Sequence, residues 1–347
     1  MQGLVLEGGG VRGAYQVGAY KAFVKCGIKF DVVVGTSIGS FNAAMIVAGK
    51  WKELLAFWES ADVANILGLD KELASLISKR KINLNLITGI ASIIKSGGLK
   101  TEGMRLEMDK LFAEDEIRNS KMDYGLVTLR VSSLKPVEIF KEDIPKGKLK
   151  DYIIASCYLP VFKAEKIIDE GIYFDGGIIN NSPVNMLLKK NCKKIYVVKL
   201  GSMGFYKKVK LEDTNTEVVY ISPKEKLGSI LALDKDVRLK NIKMGYFDTL
   251  KVLKKMDGYD YIFKSAGEWF YDFISRKVKK TDLRRVMNFF NTKTVKETII
   301  KAVEFVLRRE SVDNLDIYNI YKMIKRIKKE YQKDYFINNF IESLKII

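Results

Sequence analysis

The segment from Asp31 to Gly39 has the sequence DVVVGTSIG, in which a run of valines leads into two glycines placed around a serine. Because β-branched residues favour strands, this segment predicts a strand over Asp31 to Val34. The residues that follow, Ile38 to Ala48, are mostly apolar or small and predict a helix. Gly-x-Ser-x-Gly between a strand and a helix is typical of a sharp turn that presents the serine side chain. Ser37 is therefore a candidate for a reactive side chain.

Strand and helix patterns alternate on both sides of this turn. Before it, Gln2 to Leu6 predicts a strand and Ala14 to Cys26 predicts a helix. Five later segments predict strands: Tyr124 to Ser132, Val137 to Lys141, Gly171 to Phe174, Ile195 to Leu200 and Val218 to Ile221. Two later segments predict helices: Leu149 to Ala155 and Val184 to Lys190. Such alternation predicts the α/β class, with crossover helices on a sheet, over about residues 1–255.

The pattern changes after residue 255. Residues 256–347 show few strand patterns and carry apolar residues at helical spacing, namely Val295, Ile299, Val303 and Val306, and then Ile317, Ile320, Ile324, Ile327 and Tyr331. The last 97 residues, from Lys251 onward, hold 22 basic and 13 acidic side chains, so they carry half of the net charge of +18. We therefore expect a mainly helical, basic C-terminal extension.

Composition excludes several kinds of site. Histidine is absent, which excludes Ser-His-Asp and Cys-His catalysis and zinc sites that need histidine. The three cysteines are far apart and form no Cys-x-x-Cys pair, so we expect no disulfide framework and no bound metal. No apolar run approaches the roughly 18 residues of a membrane span, and no signal peptide is evident. These features favour a cytoplasmic protein, with peripheral membrane contact as an alternative.

The loop Gly8 to Gly13, with the sequence GGGVRG, follows the first predicted strand and opens a helix. It matches the dinucleotide-binding pattern GxGxxG, but Asp31 begins the second strand, whereas a ribose-binding acid belongs at the carboxyl end. A phosphate-binding P-loop is excluded because no Gly-Lys-Ser/Thr follows. Two interpretations remain: a tight turn without chemistry, or an oxyanion hole in which backbone amides point at a developing anion.

A serine needs a base to take its proton, and without histidine that base must be a carboxylate, a lysine or a tyrosine. The best candidate is Asp175, which ends a strand-like run and is followed by Gly176 and Gly177. A free aspartate is a weak base, but burial in an apolar cleft would raise its pKa. The alternative is an aspartate that merely occupies a strand-to-turn corner.

Together, the three blocks GGGVRG, GTSIG and DGG resemble the signature motifs of patatin-like phospholipases, in the same order. The segment Ala155 to Phe162, with the sequence ASCYLPVF, is similar to a further block of that family. The resemblance covers about residues 1–255 and implies a patatin-like three-layer α/β/α fold with a mostly parallel central sheet. It leaves the extension beyond residue 255 without a counterpart.

The resemblance also implies a role for each matched residue. Ser37 would be the nucleophile and Asp175 its base. The amides of Gly9 and Gly10, together with that of Gly8, would form the oxyanion hole. No cofactor and no metal are implied, and the substrate would be a phospholipid or another acyl ester, cleaved by a phospholipase A or lysophospholipase type of reaction.

Several alternatives stay open at this stage. The same dyad would serve a thioesterase or a general carboxylesterase, and a non-catalytic membrane-binding module is a further possibility. Arg12 would either contact a lipid phosphate or lock the glycine loop. An apolar helical face of Leu86, Ile90, Ile93 and Ile94 would either line an acyl groove or pack in the core. The basic charge favours contact with an anionic membrane, and no nucleic acid partner is expected.

Overall fold

The computed structural model describes residues 1–69, 74, 99, 101–159, 162, 163, 165–202, 204–209, 215–330 and 336–345. Internal contacts divide the chain into an N-terminal unit, Met1–Asp248, and a C-terminal unit, Thr249–Ile347. The division falls inside the helix Lys235–Leu253, and the boundary expected after residue 255 lies just past the end of that helix. The apolar face predicted between Ile82 and Ile94 lies outside the described residues.

The described part of the N-terminal unit forms a seven-stranded sheet in the order β4-β3-β2-β1-β6-β7, with β5 also paired to β3. The strands are β1 (Gln2–Leu6), β2 (Val32–Thr36), β3 (Asp123–Arg130), β4 (Lys135–Phe140), β5 (Tyr173–Asp175), β6 (Lys194–Val198) and β7 (Glu217–Ile221). The helices are α1 (Ala14–Lys25), α2 (Ile38–Val47), α3 (Trp51–Ser60), α4 (Val63–Ile66), α5 (Glu102–Leu111), α6 (Glu114–Arg118), α7 (Leu149–Ser156), α8 (Val184–Lys189) and α9 (Lys235–Leu253). All pairings are parallel except those of β3 with β4 and β5.

Helices cover both faces of this sheet. On one face, Val34 and Val197 pack with Leu187 of α8. Side chains alternate along a strand, so Tyr196 points to the opposite face, where its ring meets Phe23 of α1 at 5.1 Å. Helix α2 lies on that second face as well. The α/β class and the three-layer architecture with a mostly parallel sheet are thus confirmed.

Each strand and helix predicted within the described part of residues 1–255 is present, with ends that differ by a few residues. Helices α3, α4, α5, α6 and α9 were not predicted from the sequence patterns. These missed helices matter because α3, α4 and α5 supply much of the wall of the pocket described below.

The C-terminal unit is mainly helical, as the sequence predicts. Its described helices are α10 (Glu268–Ser275), α11 (Lys280–Phe290), α12 (Val295–Arg309), α13 (Ile320–Glu330) and α14 (Phe336–Ser343), and the short strands among its described residues are β8 (Ile262–Phe263) and β9 (Ile317–Tyr318). One prediction was wrong: Ile317 does not belong to the helix predicted from the apolar spacing of Ile317, Ile320 and Ile324. It lies in β9, where it pairs with Ile262 in a parallel ladder. Ile320, Ile324 and Ile327 form the apolar seam of α13 and are buried in this unit's own core, whereas Tyr331 lies outside the described residues. Among the described helices, none has the length and apolarity needed to cross a bilayer.

Candidate active site

Ser37 lies between β2 and α2 in a backbone conformation that few non-glycine residues adopt, with φ 55° and ψ −132°. Such a conformation is strained and persists only where the surroundings enforce it. Here the two flanking glycines allow it. A Cβ on Gly35 would lie 2.2 Å from the Gly39 carbonyl oxygen, and a Cβ on Gly39 would lie 2.2 Å from the Leu6 carbonyl oxygen. Only glycine at both positions lets the strand, the turn and the helix approach this closely.

Strand β3 brings Ser37 and Asp175 together. Val127 of β3 pairs with Thr36, the last residue of β2, and the next residue, Thr128, pairs with Asp175, the last residue of β5. Strand β4 occupies the opposite edge of β3, so β2 and β5 follow one another along the same edge. Because β2 runs parallel to β3 and β5 runs antiparallel, their carboxyl ends meet. The serine and the aspartate therefore come together where the two strands end.

The two side chains form a direct hydrogen bond. The Ser37 hydroxyl donates to Oδ2 of Asp175 at 2.5 Å, and the Gly177 amide donates to Oδ1 at 2.7 Å. Asp175 is 4% exposed and Ser37 is 7% exposed. Burial raises the pKa of Asp175 to about 6, against the smaller lowering effects of its bonds to Ser37 and Gly177. The carboxylate is therefore a stronger base than a free aspartate, and it lies in contact with the hydroxyl it would deprotonate.

Ser156, at the end of α7, fixes the backbone of the serine turn. Its hydroxyl accepts a hydrogen bond from the Ser37 amide at 2.9 Å and donates to the Val127 carbonyl at 2.7 Å. It is fully buried. The sequence marked this residue only as part of the ASCYLPVF block, and gave no indication that it would hold the turn.

The glycine loop lies directly beside Ser37, since a Cβ on Gly8 would be 3.0 Å from the Ser37 Cβ. The Gly8 amide donates to the Asn181 carbonyl at 3.4 Å, and the Asn181 side-chain amide donates to the Gly8 carbonyl at 3.3 Å. Within the described part of the chain, the amides of Gly9 and Gly10 donate to no protein acceptor. Gly10 has a φ of 57°, which favours glycine. Two amides of the loop thus lack a protein acceptor among the described residues, and the third is bonded within the protein.

Arg12 binds backbone carbonyls. Its Nε donates to the Gly228 carbonyl at 2.9 Å, and its Nη1 donates to the Gly201 carbonyl at 3.0 Å and to the Ser202 hydroxyl at 3.4 Å. Of the two roles that the sequence left open, this geometry favours locking of the loop, through two carbonyl groups and a hydroxyl. Among the described residues, Arg12 forms no ion pair.

An apolar pocket opens next to Ser37 and Gly10. Its wall includes side chains of α2, α3, α4 and α5, among them Phe41, Trp58, Val63 and Met108. The lining contains a single carboxylate among the described residues, that of Glu107. A pocket of this composition accommodates a hydrocarbon chain and excludes charged groups from most of its surface.

The comparison with known families agrees with this geometry. A family model described as patatin-like phospholipase matches residues 4–188, which is more than half of the chain. The chain belongs to the patatin-like phospholipase family. All three motif blocks and the ASCYLPVF block lie inside the matched range, whereas the C-terminal unit lies outside it.

Named relatives match a little over half of the chain. Patatin-like phospholipase domain-containing protein 7 of Rattus norvegicus is 28% identical over 204 residues, which are 57% of this chain and 13% of that protein. Lysophospholipase nte1 of Aspergillus terreus is 31% identical over 203 residues, 58% of this chain and 12% of that protein. The chain therefore spans about an eighth of the length of these relatives. Among solved structures, VipD from Legionella pneumophila matches with a TM-score of 0.46 and 12% identity, covering 94% of this chain and 79% of that one.

The family motifs account for Ser37, Asp175 and the glycine loop, but not for every residue that holds them. Asn181 secures both polar groups of the Gly8 backbone and also donates to the Tyr206 hydroxyl at 3.3 Å. It lies six residues after Asp175, where an asparagine pair before Ser182 and Pro183 has the appearance of an ordinary turn. In the described parts of the chain, no cluster of acidic, cysteine or histidine side chains is suited to a metal ion.

Proposed function

We propose that this protein is a serine lipid acyl hydrolase of the phospholipase A or lysophospholipase type. One observation carries the proposal: the Ser37 hydroxyl donates at 2.5 Å to a buried carboxylate of raised pKa, beside an apolar pocket. A dyad of this kind needs no histidine, which the chain lacks. The family match and the names of the relatives, patatin-like phospholipase and lysophospholipase, support a lipid ester as the substrate.

The reaction follows from these groups in two steps. Ser37 Oγ attacks the ester carbonyl carbon while Asp175 takes its proton, and the proton then passes to the departing alcohol as the ester C–O bond breaks. Asp175, again ionised, takes a proton from water as that water attacks the acyl-serine ester. Collapse of the second tetrahedral intermediate releases the fatty acid and returns the proton to Ser37 Oγ. One ester and one water thus give one acid and one alcohol.

The oxyanion of each intermediate would be held by the amides of Gly9 and Gly10. These two amides have no protein acceptor among the described residues, whereas the Gly8 amide is bonded to the Asn181 carbonyl. Donors aimed in advance at a developing oxyanion are worth about 100- to 1,000-fold in rate each. We therefore assign Gly8 to the framework of the hole and Gly9 and Gly10 to its donors.

Substrate profiling separates this function from its rivals within the enzyme class, a thioesterase and a general carboxylesterase. We expect the purified chain to release fatty acid from phospholipid or lysophospholipid faster, in kcat/KM, than from an acyl thioester or a short-chain soluble ester of equal concentration. The apolar pocket supports this order, because it stabilises a long acyl chain. A preference for the thioester would identify the protein as a thioesterase. Turnover of the short-chain ester alone would identify the protein as a general carboxylesterase.

We also propose a peripheral contact with anionic membrane, in keeping with a cytoplasmic protein. On α13, Lys322, Lys325 and Lys329 are exposed while the apolar seam is buried. Arg326 pairs with Glu330, and Lys328 donates to the carbonyls of Glu342 and Leu344. Lys333 follows farther along the sequence and lies outside the described residues. Each exposed cation near an anionic surface contributes about 1 kcal/mol at low salt.

Vesicle co-sedimentation tests the membrane contact. Reversal of the charges on Lys322, Lys325 and Lys329 should weaken binding to anionic vesicles and leave neutral vesicles unaffected, and the difference should shrink as salt rises. The matched control reverses three exposed lysines of the N-terminal unit, namely Lys52, Lys121 and Lys146. Equal loss of binding in both variants would show a general charge effect and no role for α13.

A further inference from the structure

Two buried amide side chains, Gln16 and Asn42, lie behind the glycine loop. Gln16 belongs to α1 and Asn42 to α2, and both are fully buried. A buried carboxamide costs free energy unless its polar atoms are paired, so its partners show what it holds. Neither residue belongs to the family's motif blocks, and neither contacts Ser37 or Asp175 by a hydrogen bond.

The partners of these amides are the two ends of the loop. Gln16 Nε2 donates to the carbonyl of Glu7, immediately before Gly8, at 2.7 Å. Asn42 Nδ2 donates to the carbonyl of Gly13, the last residue of the loop, at 3.0 Å. Asn42 Nδ2 also donates to Gln16 Oε1 at 2.8 Å, which joins the two anchors to each other. The start and the end of the loop are therefore tied by one connected pair of side chains, the Gln16–Asn42 clasp.

The clasp continues to the wall of the apolar pocket. Trp58 lines that pocket, and its Nε1 donates to Asn42 Oδ1 at 3.0 Å, which satisfies the remaining oxygen of the clasp. The side chains of Asn42 and Trp58 also pack closely against Gly13, where an added Cβ would lie 3.0 Å from Asn42 Nδ2 and 3.1 Å from Trp58 Cζ2. The end of the loop is thus fixed by hydrogen bonding and by close packing.

The loop needs such support. Its glycines have the largest conformational freedom of any residue, and Gly10 adopts a positive φ. An oxyanion donor is effective only when it is aimed before the reaction, and a shift of about 1 Å in a positioned group can cost about 100-fold in rate. A loop held at both ends keeps its amides aimed, whereas a loop released at one end can rotate them away from the carbonyl oxygen.

We propose that Gln16 and Asn42 are positioning residues for the oxyanion hole and that the clasp sets the aim of the Gly9 and Gly10 amides. This inference rests on the proposed function, since an oxyanion hole has a purpose only in acyl transfer. The clasp acts through the loop and leaves Asp175 and the pocket volume unchanged. Its loss therefore lowers kcat, while KM and the pH dependence stay close to those of the parent.

The test is Gln16→Met, which keeps the side-chain volume and removes the donor to the Glu7 carbonyl. We expect kcat for ester hydrolysis to fall about 10- to 100-fold. KM should stay within about twofold, and inactivation by a fluorophosphonate, whose adduct places an oxygen in the same hole, should slow in parallel. The matched control is Thr298→Val in the C-terminal unit, where a fully buried hydroxyl donates to the Thr294 carbonyl at 2.7 Å. The control should lower the melting temperature and leave kcat unchanged.

Two results would overturn the clasp: an unchanged kcat in Gln16→Met, or an equal fall in kcat in the Thr298→Val control. If Gln16→Met does not fold, Gln16→Leu gives the same test, because leucine also fills the buried position and also removes the donor to the Glu7 carbonyl. Failure of the proposed function would be distinguished from failure of the clasp by the behaviour of the parent protein. In that case the parent protein itself neither hydrolyses acyl esters nor reacts with the fluorophosphonate.

Discussion

The two units of the chain both bury carboxylates, but they use them differently. In the C-terminal unit, one oxygen of Glu304 accepts the amides of Tyr259, Asp260 and Tyr261, at 2.6, 3.0 and 3.0 Å. That carboxylate fixes a loop to α12. In the N-terminal unit, Asp175 accepts one amide and one hydroxyl, and burial raises its pKa to about 6. The three amides on Glu304 tie its carboxylate to the fold, whereas Asp175, with fewer donors and a serine beside it, keeps the raised pKa that its proposed role as a base requires.

The largest effect on the hydrolysis rate that this comparison predicts is that of Ser37→Ala. The substitution removes one hydroxyl, so we expect the fold to persist and the hydrolysis rate to fall at least about 10,000-fold. The measurement is kcat/KM on the best ester, with circular dichroism as the check on folding. Activity within tenfold of the parent would place the nucleophile elsewhere.

Asp175→Asn should have the next largest effect. Asparagine keeps the shape and can still accept the Gly177 amide, but it cannot take the proton of Ser37, so kcat should fall about 100- to 10,000-fold. A parental rate in this variant would direct the search for the base to a lysine or a tyrosine.

The pH profile should follow the ionisation of Asp175. Only the ionised carboxylate can accept the proton, so kcat/KM should rise about tenfold per pH unit below about pH 6 and level off above it. Glu7 is the natural control, because burial raises its pKa to about 7 and it directly precedes the glycine loop. A midpoint that stays in place in Glu7→Gln assigns the titration to Asp175, and a midpoint that disappears assigns it to Glu7.

The same raised pKa predicts an opposite effect on stability. Because the pKa of Asp175 is higher in the folded state than its ordinary value of 3.8, the protonated form favours folding. That contribution is fully present below about pH 3.8 and is lost as the pH rises through about 6. At pH 8, Asp175→Asn should therefore unfold at higher urea concentration than the parent, by on the order of 1 to 3 kcal/mol in the free energy of unfolding. An Asn variant that is less stable than the parent at pH 8 would contradict the raised pKa.

The smallest effect on activity should come from the other unit. Glu304→Gln weakens three hydrogen bonds that converge on one carboxylate oxygen and should lower the free energy of unfolding by about 1 to 3 kcal/mol. Turnover of a soluble ester per folded molecule should be unchanged, as measured at a temperature where the variant stays native. A fall in kcat there would show that the C-terminal unit takes part in the reaction.

Local sequence patterns were sufficient for much of the fold. A strand, a sharp turn and a helix are each encoded within about ten residues, so valine runs, helical spacing and paired glycines located β2, Ser37 and α2. The same holds for the glycine loop and for the end of β5. The prediction for Ile317 was wrong because this residue continues the helical spacing of Ile320 and Ile324, and only its pairing with Ile262 places it in a strand.

The parts that escaped prediction depend on contacts between distant segments. The Ser156 hydroxyl accepts a hydrogen bond from the Ser37 amide, 119 residues away in sequence, and the Asn181 side chain donates to the Gly8 carbonyl, 173 residues away. An asparagine or serine in a helix or turn has no periodicity that reveals its partner. The register of β2 and β5 on β3, which makes Ser37 and Asp175 neighbours, is also a property of the assembled sheet.

The most direct test of the account is to locate the residue that a fluorophosphonate modifies. The intact protein is labelled at pH 8, digested, and the adduct is assigned by peptide mass. We predict one adduct per chain, on Ser37, that is absent from Ser37→Ala and forms much more slowly in Asp175→Asn. An active enzyme that carries its adduct on another residue, or that hydrolyses lipid esters without any adduct, would contradict a Ser37–Asp175 dyad.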